Sequence, residues 1–293
     1  MTIAMCYLSP EGVVLGADST ASINLPDGFH YFNHAQKLFR VGEAGSLGML
    51  TWGLGGFRGE SYRTLIAELA DDIAANPPMD VAEVSDRWAN LFWAAYSTHL
   101  AAEIAILQGL AVKPPFNPAV PDPAARTEQE ESDFWALSQG MVVGFCIAGA
   151  IGADRRTRAF QIIFDPLSGI APAPQEFTGS PFWGAPNMIQ RLILGFDPAL
   201  RAELLTSGKW TGTDAELDAI MNRQVLSHAI LPIREAIDFV YTCIYSTIKA
   251  LKFSSYTQIC GGPIELAVIT TDREFRWVRH KELDAAIYEG ERP

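Results

Sequence analysis

Strand-like runs in this chain come in adjacent pairs, and that grouping limits its fold more than any other feature. Residues 3–8 and 12–18 flank the turn Ser9-Pro10-Glu11-Gly12, and residues 37–41 and 47–53 flank a second turn at 42–46. MVVGFCIAGA (141–150) and RAFQIIF (158–164) make a third pair, and PIELAVITT (263–271) with FRWVR (275–279) a fourth. Connections this short and turn-rich join antiparallel strands, because a parallel pair needs a crossover of a dozen or more residues. Helical apolar periods fall between the pairs, at 58–75 and 80–109, then at 185–195, 198–206, 213–228 and 232–252. In the second of these, Trp88, Leu91, Phe92, Ala95 and Leu100 recur near helical spacing. In the last, Ile233, Ile237, Tyr241, Ile244, Ile248 and Leu251 form one stripe. The expected architecture is α+β, with two antiparallel sheets stacked face to face and helices outside.

With 293 residues, 48% of them hydrophobic, the chain can bury a sizeable core. We expect a single domain over 1–293. Its order is broken at 111–139, where Pro114, Pro115, Pro118, Pro121 and Pro123 precede TEQEESD, a composition expected of a loop insertion. The net charge of -12, with no basic stretch, argues against nucleic acid as a partner. No apolar run reaches the roughly 20 residues of a membrane span, and the N-terminal segment lacks a signal-peptide pattern. A cytoplasmic location without membrane partners is therefore expected. Cys6, Cys146, Cys243 and Cys260 are widely spaced in apolar surroundings and show no zinc spacing, so they are expected as reduced, buried thiols.

The chemistry-bearing residues gather at strand ends. A threonine hydroxyl needs a base beside it to act as a nucleophile. If Met1 is removed, which the small Thr2 permits, the freed α-amine lies on the same residue as the hydroxyl. Its ordinary pKa near 7.7–8.0 lets it accept the hydroxyl proton at neutral pH. Asp18 ends the neighbouring strand in VVLGADS, and Lys37 opens the next in HAQKLFRV. An ammonium near Thr2 would lower the hydroxyl pKa and favour a neutral amine, and a carboxylate would hold that ammonium. Gly53, at the end of GMLTWG, would let a backbone N–H approach a developing oxyanion; a tight strand-to-helix turn needs glycine there equally.

Taken together, T-x-x-A-x-x-x-x-x-G-V-V-L-G-A-D-S, K-L-F-R-V and the glycine-rich strand end resemble a proteasome-type β-subunit of the N-terminal nucleophile hydrolases. VGFCIAGAIG…RAFQIIFDPLSG is similar to that family's central hairpin, and GGPIELAVITTD to its penultimate strand. The resemblance runs through most of the chain in order, with additions around 21–34, 111–139 and 197–230. It is strongest to the bacterial relatives, including the proteobacterial proteasome homologue and Anbu-type proteins. It implies a four-layer αββα sandwich and a threonine peptidase active inside a homo-oligomeric ring, on peptides or unfolded chains, without metal or organic cofactor. An ATPase or other activator is left open. By the same resemblance Thr2 matches the nucleophile, Asp18 the buried acid, Lys37 the active-site lysine and Gly53 the oxyanion-hole glycine. Where the family usually has Asp-x-x-Ser before Gly-Gly, this chain reads Thr257-Gln258-Ile259-Cys260. Its serine near the start of a central helix aligns with Ser180 in one alignment and with Ala185 in another.

Other motifs are weaker. Ser246-Thr247-Ile248-Lys249 has the SxxK spacing without its companion motifs. His30 and His34 lack a third metal ligand, and GLGGFRG misses the dinucleotide glycine pattern. The leading expectation is a self-compartmentalising threonine endopeptidase. The alternatives are a ring-forming scaffold of the same fold with little peptidase activity, and a non-peptidase amidohydrolase or transacylase using the same nucleophile.

Overall fold

The computed structural model describes residues 2–25, 28–42, 45–57, 59–120, 122–152, 155–185, 187–226, 230–255 and 259–281. In chain order the strands β1 (Ile3–Ser9), β2 (Gly12–Ala17), β3 (Ala21–Leu25), β4 (Gly28–Phe32), β5 (Leu38–Arg40) and β6 (Leu47–Gly53) come first. Helices α1 (Tyr62–Ala75), α2 (Val81–His99), α3 (Ala101–Ala111) and α4 (Glu128–Gly140) follow. Then come β7 (Val143–Gly149), β8 (Arg158–Phe164), β9 (Gln175–Glu176) and β10 (Phe182–Gly184). Helices α5 (Asn187–Leu194), α6 (Pro198–Thr206), α7 (Asp214–Met221) and α8 (Ile233–Lys252) precede β11 (Glu265–Thr270) and β12 (Arg276–Arg279). The chain divides into two compact units, one of residues 1–38 with 178–293 and one of residues 39–177.

The first unit is built on an antiparallel sheet of order β10-β1-β2-β11-β12. Helix α8 lies on it, burying Ala236, Val240, Cys243, Ile244 and Thr247 against Ile3, Met5, Val14, Leu266 and Val268. The apolar period thus located α8 but misjudged its central line. Ile233, Ile237, Tyr241 and Ile248 are only partly buried flanks, because small side chains occupy the closest approach to the sheet. Gly16 completes that approach from below. A Cβ there would come within 2.6 Å of Val240 Cγ1 and 2.8 Å of Ile244 Cδ1 and Leu266 Cδ2.

The second unit holds a sheet of order β5-β6-β7-β8-β9. Helices α1 and α2 cover one face through Leu65, Trp88, Phe92 and Tyr96 packed on Phe145, Ile162 and Phe164. The helix expected over 80–109 is two helices, α2 and α3, joined at Leu100 (φ -107, ψ 15). Neither glycine nor proline marks that joint, so the sequence carries no stop signal there. Within 111–139, TEQEESD forms the start of α4: Thr127 and Glu130 make a reciprocal capping box, and acidic side chains sit in the first turn, where the helix dipole favours them. Residues 21–25 and 28–32 form an unanticipated antiparallel strand pair, β3–β4. The helix expected at 213–228 ends earlier, α7 being followed by a single 3-10 turn at Asn222–Gln224. The short helix expected to close the chain lies outside the described residues. Among those residues, no helix is long and apolar enough to cross a membrane.

Gly16 generates a test of this packing. Gly16→Ala should lower stability by about 1–3 kcal/mol, the usual cost of overpacking a core. Adding Ile244→Val, which removes the Cδ1 that the new methyl meets, should recover part of that loss in a double-mutant cycle read by denaturant unfolding.

Candidate active site

The β1–β2 turn sets the register of the site. Ser9 pairs with Gly12 and Ala4 with Ala17, so counting on along the same ladder brings Asp18 opposite Ile3. The Asp18 N–H donates to the Ile3 carbonyl at 3.1 Å, and the Ile3 N–H returns a bond to Asp18 Oδ1, also at 3.1 Å. Ile3 N is the amide nitrogen of the Thr2–Ile3 peptide bond. The Asp18 carboxylate is thereby fixed one peptide group from the Thr2 backbone.

Lys37 donates from Nζ to the same Asp18 oxygen at 2.6 Å, and to the Thr20 carbonyl. The other carboxylate oxygen, Oδ2, accepts from Gly261 N at 2.9 Å and Thr20 N at 3.3 Å. Asp18 is fully buried and Lys37 nearly so, at 6% exposure. A buried ion pair holds only if its remaining valences are satisfied, and here the Ile3, Thr20 and Gly261 amides and the Thr20 carbonyl do that work. Gly261 and Thr20, both outside the residues chosen from sequence, supply backbone donors. The glycine pair in CGGP was the available signal: Gly262 has φ +69, and a Cβ there would lie 2.3 Å from the Asn33 carbonyl oxygen.

Thr2 itself is 4% exposed. Its carbonyl accepts from Ala185 N at 2.9 Å. Gly184, with φ +90, packs so closely that a Cβ would fall on the Thr2 carbonyl group. The structure therefore puts Ala185 beside Thr2. Ser180 lies before β10, in the segment whose neighbours Gly179 and Pro181 accept from Leu8 and Cys6. Of the residues replacing the Asp-x-x-Ser pattern, Thr257 and Gln258 lie outside the described set. Cys260 is fully buried. Burial, reinforced by the Asp18 carboxylate and opposed by the Lys37 ammonium, pushes its thiol up to about 12, so it stays protonated at neutral pH.

Three of the four expected residues, Thr2, Asp18 and Lys37, are thus linked within the first unit. Gly53 belongs to the second. It ends β6 at φ +86, opposite Val143, and a Cβ would lie 2.2 Å from the Val142 carbonyl oxygen. Its glycine is required locally whatever else it does. Of the other motifs, Ser246 to Lys249 lies within α8, with the Lys249 ammonium 5.1 Å from the centre of the Tyr245 ring. His30 sits on β4, and the described residues contain no group of three His, Cys, Asp or Glu arranged to hold a metal. All four cysteines are buried and unpaired with one another.

No protein-family model matches the sequence, and no curated protein matches it. Solved structures do. An Anbu (Gly-1) mutant from Hyphomicrobium sp. strain MC1 superposes with TM-score 0.50 at 15% identity, over 99% of this chain and 91% of that one. The chain shares the Anbu fold. A second crystal form of Anbu from the same organism gives 0.42 at 14% identity, over 97% and 88% of the two chains. The α+β class with helix-flanked antiparallel sheets, expected from sequence, is borne out.

Two substitutions probe the geometry. Asp18→Asn should destabilise the protein by about 3–5 kcal/mol, because it leaves the Lys37 charge buried without its partner, a loss read as an earlier unfolding midpoint in urea. Gly184→Ala should displace the Thr2 backbone. It is expected to slow any covalent labelling of Thr2 by about a hundredfold, the scale of a 1 Å misplacement of a reacting group, measured by intact mass.

Proposed function

We propose that this protein is an N-terminal threonine hydrolase acting on peptide bonds. The observation that carries the reading is the buried chain of bonds from Lys37 through Asp18 to the Thr2–Ile3 peptide. Removal of Met1 would free the Thr2 α-amine. Thr2 Oγ then attacks the scissile carbonyl carbon while the amine takes its proton, forming a tetrahedral intermediate. Collapse expels the leaving amine with that proton and leaves an acyl ester on Thr2, which water hydrolyses by the same route in reverse order. Lys37, held by Asp18, keeps positive charge at the site, lowers the hydroxyl pKa and favours the neutral amine. The oxyanion role of Gly53 enters from the sequence resemblance. So do the homo-oligomeric ring, the cytoplasmic location and the unfolded or short peptide substrate that an enclosed site would select.

A specific observation favours a second reading, a proteasome-like scaffold with little peptidase activity. Where the resembled family carries a serine before Gly-Gly this chain has the protonated Cys260 thiol, and Ala185, which one of two alignments matches to the other serine, lies beside Thr2. Neither supplies an oxygen to orient the amine.

Incubation of Met1-free protein with a threonine-directed peptide electrophile separates the readings. The peptidase reading expects a single adduct that disappears in Thr2→Ala. Absence of any adduct on fully processed wild-type protein overturns it in favour of the scaffold. Turnover of small amides with peptides untouched would identify a non-peptidase amidohydrolase.

A further inference from the structure

Behind Lys37 stands a second buried lysine. Lys281 lies two residues beyond the end of β12, the edge strand of the first sheet, and its side chain is only 9% exposed. Its Nζ donates to the Ala35 carbonyl at 2.8 Å, to Ser19 Oγ at 3.1 Å and to Glu265 Oε2 at 3.1 Å. Glu265 is itself fully buried and opens β11 opposite Ala17 of β2. His280 Nδ1 lies 2.7 Å from the other Glu265 oxygen but off the hydrogen-bonding direction. Burial draws the Lys281 ammonium below the usual lysine range, Glu265 opposes this, and the Lys37 and Asp18 charges both reach it.

The three acceptors explain why a charge is kept in such a place. Ser19 lies between Asp18 and Thr20, both of which bind Lys37. Ala35 lies two residues before Lys37, and its N–H donates to the Ser19 carbonyl at 2.9 Å. The segment that presents Asp18 and the segment that presents Lys37 are therefore clamped together by one ammonium. A buried ion pair is a poor source of stability, since two well-packed apolar residues serve as well or better. An apolar pair cannot, however, bridge a hydroxyl on one segment to a carbonyl on the other.

We propose that Lys281, set by Glu265, is a positioning residue that holds Asp18 and Lys37 in register beside Thr2. The proposal rests on the threonine-hydrolase reading for its effect on rate, though not for its structural content. Lys281→Met alone strands the Glu265 carboxylate and should lower the unfolding midpoint. The double variant Lys281→Met with Glu265→Gln removes both charges and should regain most of that midpoint.

The decisive comparison uses the full chain of wild type and double variant. Two quantities are read: the inactivation rate and inhibitor affinity of a threonine-directed peptide electrophile, and amide hydrogen exchange. A positioning role predicts that the maximal inactivation rate of the double variant stays down by about tenfold or more, with inhibitor affinity within about twofold. It also predicts faster exchange at Thr20 and Ala35, with Phe145 and Ile162 unchanged. Recovery of midpoint, rate and exchange together would overturn it, leaving Lys281 a charge partner of Glu265 only. If Met1-free wild-type protein forms no Thr2 adduct, the hydrolase reading falls by itself. Exchange at Thr20 and Ala35 then decides the clamp: faster exchange sustains it, and wild-type protection overturns it.

Discussion

The Asp18 carboxylate is the point on which the site depends. Four donors converge on its two oxygens: the Ile3 amide from β1, the Thr20 amide from the loop after β2, the Lys37 ammonium and the Gly261 amide. The most distant donor, Gly261, lies 243 positions from Asp18 in sequence. Each is drawn to the same anion because a fully buried carboxylate must be satisfied or neutralised. One charge thereby fixes the mutual position of the chain start, the β2 exit, the approach to β5 and the loop before β11.

That arrangement also explains the burial pattern around it. Helix α8 can press close to β2 because Gly16 offers no side chain and the helix offers Ala236, Cys243 and Thr247 at its inner line. The sheet so covered is closely packed at its centre, and Thr2 and Asp18 lie at the ends of its strands rather than in its middle. Such a division is usual: packed elements hold geometry while element termini and loops carry chemistry.

Sequence reading recovered what is local. The β1–β2 hairpin follows from the turn Ser9-Pro10-Glu11-Gly12, and its register alone brings Asp18 to the start of β1. Lys37 was found because a lysine at a strand entrance, next to an acid at a strand exit, is a pairing that topology can complete. The split at Leu100 was illegible, since its backbone turn has no glycine or proline to announce it. So was the α4 start, because the acidic residues that suggest a solvated loop are also those that suit a helix N-terminus. The choice between Ser180 and Ala185 depends on how β10 lies along β1, a pairing set by contacts nearly 180 residues away in the chain. Lys281 and Glu265 carried no signal at all: nothing in EL or HK tells that both side chains turn inward.

Thr2 is gripped through its main chain, by the Ala185 amide on its carbonyl and by Gly184 against that same group. The seat is thus separate from the hydroxyl that occupies it. Because both grips touch only the main chain, exchanging Thr2 for serine or cysteine would leave the walls of that seat as they are.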